Sequence, residues 1–149
     1  MRVLNKSSEY EDLYQKLGNQ KDSLFKSMKD VFLLAAVLGQ FKDSRKPYAK
    51  KGGDGIKENI FNYNDKIVLD FISVNATKDI NILSNDQDEI KCKLLEEYAN
   101  GGMEILDKYL ADDYLNIDKL IRFVKEIDAE LSETIKPNIE DILIGLALD

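Results

Sequence analysis

Val31-Phe32-Leu33-Leu34-Ala35-Ala36-Val37-Leu38 is apolar at every position. Eight such residues cannot all lie on one face of a surface element, so the run predicts a helix buried on every side. Ser27 stands where an N-cap belongs, and Asp30 follows three residues later, where a carboxylate favours a helix N-terminus. Gly39 reads as the stop. The fold should be built around residues 27–39, and the rest of the chain supplies what covers them.

The covering segments are also helical in pattern. Tyr10, Leu13, Tyr14 and Leu17 recur at i, i+3, i+4, i+7. Ser8 and Glu11 have capping-box spacing, which predicts a first helix over Ser7 to Leu17, ended by Gly18. Asp65 to Thr77 is rich in β-branched residues, but its apolar residues fall in adjacent pairs rather than alternating, which favours a helix. From Ser84 a helical pattern runs through Leu94, Leu95 and Tyr98. It meets Gly101-Gly102 and resumes at Met103, Ile105 and Leu106. Glycine costs a helix about 1 kcal/mol relative to alanine. An uninterrupted helix here therefore implies another backbone packed against the glycines. Ile117, Leu120, Ile121, Val124 and Ile127 trace a further amphipathic helix, and Asn138 to Leu148 a last one after Pro137. Residues 42–58, with Pro47 and Gly52, Gly53 and Gly55, read as a long loop. Ile60-Phe61 and Ile82-Leu83 are candidates for a short two-stranded pairing. The expectation is a mainly α, single helical domain over residues 1–149 with at most a short β element.

Residue chemistry excludes more than it names. The 149 residues include no histidine, no tryptophan and one cysteine. A Ser-His-Asp triad, a Cys-His dyad, a His-ligated metal and an internal disulfide are all out of reach of this chain. Lys51-Gly52-Gly53-Asp54-Gly55 lacks the G-K-[ST] of a phosphate-binding loop. Asn85 to Glu89 lacks the glycine and the bidentate glutamate of a calcium loop. Asp112-Asp113 is a neighbouring pair whose side chains would diverge on a helix. Cys92 has no base to activate it and reads as a small core residue. No catalytic residue, metal or cofactor is expected. The N-terminal residues lack the apolar stretch of a signal peptide, and no run approaches the 20 or so residues of a membrane span. That points to a cytoplasmic protein with no membrane partner.

The net charge of −7 is unevenly placed. Residues 1–78 carry 14 Lys and Arg against 10 Asp and Glu, while residues 79–149 carry 7 against 18. The densest basic segment is the 42–51 loop, where Lys42, Arg45, Lys46, Lys50 and Lys51 face only Asp43, with Phe41 and Tyr48 interleaved. Such a patch can hold nucleic-acid phosphates without sequence preference or dock on an acidic protein surface. The overall acidity argues against tight nucleic-acid binding by the chain alone. In the last predicted helix, Ile139, Ile142, Leu143 and Leu146 share one face, which leaves Ile144 and Leu148 as candidate docking residues for a larger subunit or a second copy.

Lys29-Asp30-Val31-Phe32-Leu33-Leu34-Ala35-Ala36-Val37-Leu38-Gly39, followed by Arg45-Lys46-Pro47, resembles the central signature of the DNA phosphorothioation-associated (Dnd system-associated) protein 4 family. Leu95-Glu96-Glu97-Tyr98-Ala99-Asn100-Gly101-Gly102-Met103-Glu104-Ile105-Leu106 is similar to the same family's E-x-Y-A-N-x-G helix. The likeness spans about residues 8–110. It implies a small, non-enzymatic accessory subunit of a bacterial DNA-modification and anti-phage defence complex, docked on a larger ATPase, nuclease or helicase. A small DNA-binding or regulatory module that uses residues 42–51 is the alternative. The resemblance carries over no catalytic residue.

Overall fold

The computed structural model describes residues 2–110 and 117–130. The chain divides into two units, Met1–Leu115 and Asn116–Asp149. The first contains strand β1 (Val3–Ser7), helix α1 (Glu11–Gly18), helix α2 (Met28–Phe41), strand β2 (Lys51–Lys57), helix α3 (Tyr63–Thr77) and helix α4 (Asp88–Leu110). Short 3-10 turns precede α1, α3 and α4. In the second unit residues 117–130 form helix α5. The protein is mainly helical, with one two-stranded antiparallel sheet.

Ser27 is the N-cap residue of α2, as its sequence implies, and Val31, Phe32, Ala35, Ala36 and Leu38 are buried. Gly39 does not stop the helix, which runs on to Phe41. The glycine serves packing instead. A Cβ at Gly39 would lie 1.9 Å from the Tyr98 carbonyl oxygen on α4. Reciprocally, a Cβ at Gly102 on α4 would lie 1.7 Å from the Ala35 carbonyl oxygen on α2. Helix α4 passes unbroken through Gly101-Gly102 because the two backbones touch there. Every residue from Leu94 to Met103 is buried, a longer unbroken buried run than α2 has, where Val37 is 40% exposed.

The sheet lies where the sequence reading placed a helix start and a loop. Ser7 ends β1, and α1 begins only at Glu11. The Ser8–Glu11 capping box does not form. Ser7 Oγ accepts from the Glu9 amide at 3.3 Å, and the Glu11 carboxylate pairs with Lys6 at 3.0 Å. The Tyr10, Leu13, Tyr14, Leu17 stripe is buried as expected. Of the expected 42–58 loop, residues 51–57 are β2. Its register against β1 shifts between Leu4 and Lys6, so β2 carries extra residues opposite Asn5. That bulge takes up Gly53, whose φ is +51°, a conformation that suits glycine. Ile60-Phe61 and Ile82-Leu83 do not pair. They lie in or beside 3-10 turns, where Phe61 and Ile82 enter the core and Phe61 meets Phe32 edge-on at 6.2 Å.

Helix α3 opens with a full capping box between Asn62 and Asp65 and ends at Lys78 in the left-handed region. In α5 the expected apolar stripe is split, with Leu120 and Ile127 half-buried. Phe123 is buried, while Ile117, Ile121 and Val124 are exposed. The expected final helix, with Ile144 and Leu148, lies outside the described residues, as does the Asp112-Asp113 pair.

The backbone contact at Gly102 gives a direct expectation. Gly102→Ala adds a methyl where neither helix can yield without repacking and should destabilise the protein by about 1–3 kcal/mol. Urea denaturation of the variant, monitored by circular dichroism, checks this.

Candidate functional site

The basic loop is fastened to α4 by its main chain first. A Cβ at Gly101 would lie 1.8 Å from the Ser44 carbonyl oxygen, so the loop presses on the bare helix backbone. The Lys46 amide donates to the Glu97 carbonyl at 3.0 Å. Asn100 Nδ2 donates to the carbonyls of Lys46 and Pro47 at 3.0 and 3.3 Å. Asn100 is 4% exposed, and its Oδ1 is buried without a hydrogen-bond partner. The consecutive Asn100, Gly101 and Gly102 thus hold both the loop and α2.

Side chains complete the clamp. Arg45 Nε donates to Glu97 Oε2 at 2.7 Å, with its guanidinium 6.0 Å from the Tyr98 ring. Lys46 Nζ lies 3.1 Å from Glu104, 3.9 Å from Glu9 and 5.7 Å from the Tyr10 ring centroid. The Glu104 carboxylate raises the Lys46 pKa, and Lys108 and Lys46 together lower that of Glu104. Both residues are ionised at neutral pH. Lys42 Nζ stands 5.5 Å over the Phe41 ring. Lys50 and Lys51 are exposed and enter no ion pair among the described residues. The structure therefore separates the five predicted cations. Arg45 and Lys46 pair with carboxylates of α4 while keeping 44% and 37% of their side chains exposed, and Lys50 and Lys51 enter no such pair among the described residues.

An open cleft of about 790 Å³ lies beside the clamp, lined by Arg2, Asn5, Tyr48, Lys51, Cys92 and Glu96 among others. Glu96, 8% exposed, accepts from Tyr48 Oη at 3.0 Å and from the Asn5 amide at 3.1 Å. Burial, with the Glu96 charge second, pushes the Tyr48 phenol up to about 12. Cys92 is half-buried rather than a core residue, and burial raises its thiol pKa. It is a neutral thiol, not an activated nucleophile.

A second open cleft, of about 570 Å³, has Lys6, Glu11 and Met28 in its wall. The Lys6 side chain is 1% exposed, pairs with Glu11 at 3.0 Å and lies 5.3 Å from the Tyr14 ring centroid. Sequence reasoning missed this buried pair because Glu11 fitted a capping box and Lys6 fitted nothing. It also missed Glu96 and Glu97, although their place among Leu94, Leu95 and Tyr98 was a signal of burial. No group of three or more acidic or cysteine side chains among the described residues could hold a metal ion. No helix among them is long and apolar enough to cross a membrane.

The residues of this clamp, Arg45-Lys46-Pro47 against Glu96-Glu97-Tyr98-Ala99-Asn100-Gly101-Gly102, are those that carried the family resemblance. The family of DNA sulphur modification system-associated protein 4 matches the chain over residues 4–141. The chain belongs to this family. The match extends beyond the 8–110 stretch in which the likeness was legible, and it takes in the helix at 117–130. The family description ties the protein to a DNA sulphur modification system. No curated protein and no solved structure matches the chain.

Tyr48 offers a pH test of the clamp. Its folded pKa is raised above the ordinary phenol value of 10.0, so the unfolded chain loses this proton first. The stability it contributes is complete below pH 10 and lost as pH rises through about 12. The stability difference between wild type and Tyr48→Phe should therefore shrink across that interval. Urea unfolding of both proteins from pH 9 upward measures it, and a constant difference would contradict the assignment.

Proposed function

We propose that the protein is a non-catalytic accessory component of a DNA sulphur modification system that acts by docking on a larger ATPase, nuclease or helicase subunit in anti-phage defence. The observation that carries this reading is the pairing of Arg45 and Lys46 of the basic loop with carboxylates of the protein's own α4. A patch that binds DNA phosphates gains affinity with each cation it can present. Here Arg45 and Lys46 are occupied by Glu97 and Glu104. Lys50 and Lys51 alone are too few for independent DNA binding against a net charge of −7. Histidine-free chemistry and a neutral thiol at Cys92 also favour a role in assembly. The cytoplasm is the compartment in which such a component would meet its partners and DNA.

The clamp gives the loop a fixed shape, which suits recognition of one protein surface. Lys50, Lys51 and the cleft beside them are the proposed contact for an acidic partner. Ile144 and Leu148 are proposed as apolar docking contacts. The alternative reading, phosphate contact with DNA within the assembled complex, is favoured by the exposure of Lys50 and Lys51. The two readings separate experimentally only at those lysines. Arg45→Glu would set two carboxylates against each other beside the buried Glu97 and disturb the fold itself.

Two measurements test the proposal. Tagged protein co-expressed with the other components of its DNA sulphur modification system should retain a larger subunit in a pull-down. Ile144→Asp with Leu148→Asp should abolish that retention while the circular dichroism spectrum stays unchanged. A chain that elutes alone would refute docking. For the assembled complex, Lys50→Glu with Lys51→Glu should leave the salt dependence of DNA binding unchanged. A shallower slope would transfer the loop to the DNA-contact reading.

A further inference from the structure

Helix α3 is apolar on two opposite sides. Leu69, Ile72 and Ser73 face the core, and Ser73 Oγ donates to the Leu69 carbonyl at 2.8 Å. On the opposite side Tyr63, Ile67 and Phe71 follow one another at i, i+4, i+8 and are 79%, 48% and 67% exposed. Val74 lies on the same line at helical spacing. No charged residue falls on this strip. A charge-free strip that includes a tyrosine and a phenylalanine is what a helix presents to another protein rather than to water.

The flanks say which protein. Lys66 and Asp70 border one side of the strip, and Asn64 and Asn75 border the other. Consider two copies of α3 packed antiparallel about a two-fold axis beside residue 69. Ile67 of each copy then meets Phe71 of the other, and Tyr63 packs near the far end of the opposing strip. At about 1.5 Å rise per residue, the same axis sets Lys66 about 3 Å along the helix from the other copy's Asp70, within reach of its side chain, twice over. It also sets Asn64 of each copy beside Asn75 of the other, where side-chain amides can pair. One axis thus satisfies the apolar strip and both polar flanks, the self-complementarity an isologous interface requires. Lys66 enters no ion pair among the described residues, so it is available to do this. Asp70 is paired with Lys91 on α4 and keeps 42% of its side chain exposed, room for a second cation.

We propose that α3 is a homodimerisation surface, in which the Tyr63, Ile67, Phe71 strip packs antiparallel on its counterpart in a second copy of this chain. Exposed aromatic side chains of this kind bury about 150–250 Å² each. Because Tyr63, Ile67 and Phe71 are only partly exposed, the strip on both copies together stays below about 1,000 Å², the range of a weak, reversible dimer. This does not depend on the docking role proposed above, because it uses neither the basic loop nor residues 131–149.

Sedimentation velocity on the purified chain across a concentration series tests it. Wild type should pass reversibly from monomer to dimer. Phe71→Asp and Ile67→Asp, at exposed positions, should each remain monomeric with an unaltered circular dichroism spectrum. Lys66→Glu should weaken the dimer about ten-fold by setting carboxylates face to face, and Lys66→Glu combined with Asp70→Lys and Lys91→Asp, which keeps the pair with α4 in reversed sense, should restore it. A wild-type chain that stays monomeric overturns the proposal, as does a dimer indifferent to Phe71→Asp. A dimer lost in Phe71→Asp but not rescued by the charge exchange overturns the antiparallel register.

Discussion

The first unit is organised by a contact between backbones. At Gly39, Gly101 and Gly102 there is no room for a side-chain atom, and α2, α4 and the 42–50 loop meet on bare main chain. Glycine is a poor helix residue, so three of them inside or against two long helices are a local cost. The contact they allow offsets that cost. It places Ala35 and Tyr98 main chain in register and brings Ser44 down onto α4, so that Asn100 can reach two loop carbonyls. The rest of the first unit is arranged around this seam. Helices α1 and α3 cover α2, and the sheet closes the end where Glu96 takes the Asn5 amide.

The charge pattern acquires a physical meaning from the same seam. The basic first half and acidic second half of the sequence suggest separate partners. In the folded chain much of the asymmetry is answered internally. Arg45 meets Glu97, Lys46 meets Glu104 and Arg2 meets Asp88 at 2.8 Å. Pairs of this kind with an exposed member contribute little to stability, typically less than about 1 kcal/mol each. Their importance here is to specificity. They fix where a cation-rich loop lies and leave Lys50 and Lys51, which enter no ion pair among the described residues, in a defined place.

Much of the fold was legible because it is written in period. The apolar run at 31–38 and the i, i+3, i+4 stripes specify α1 and α2, and the paired β-branched residues of 65–77 specify α3. The unbroken passage of α4 through Gly101-Gly102 followed from asking what a double glycine inside a helical pattern is for. The sheet was not legible. Val3 to Ser7 is short, two of its three buried residues are Lys6 and Ser7, and three of the seven residues of its partner strand are glycine, so neither shows alternation. The site was half legible. The loop's cations are visible in sequence, but their direction depends on Glu97, Asn100 and Glu104, residues some 50 positions away whose burial only the α2–α4 contact determines. The outward strip of α3 was hidden by the very pattern that identified the helix, since apolar residues on two sides read simply as more core.

Native-state hydrogen exchange of two loop amides tests the central claim, that a basic loop is built into the acidic helix rather than laid over it. The Lys46 amide donates to the Glu97 carbonyl at 3.0 Å, and the Ser44 amide donates to the Gly39 carbonyl at 2.7 Å. If the seam organises the fold, both should exchange only on global unfolding, with protection matching that of α4 amides between Leu94 and Met103. Exchange of Lys46 and Ser44 at rates near those of an unfolded chain, while α4 stays protected, would show that the loop is not part of the structure's core and would contradict the account.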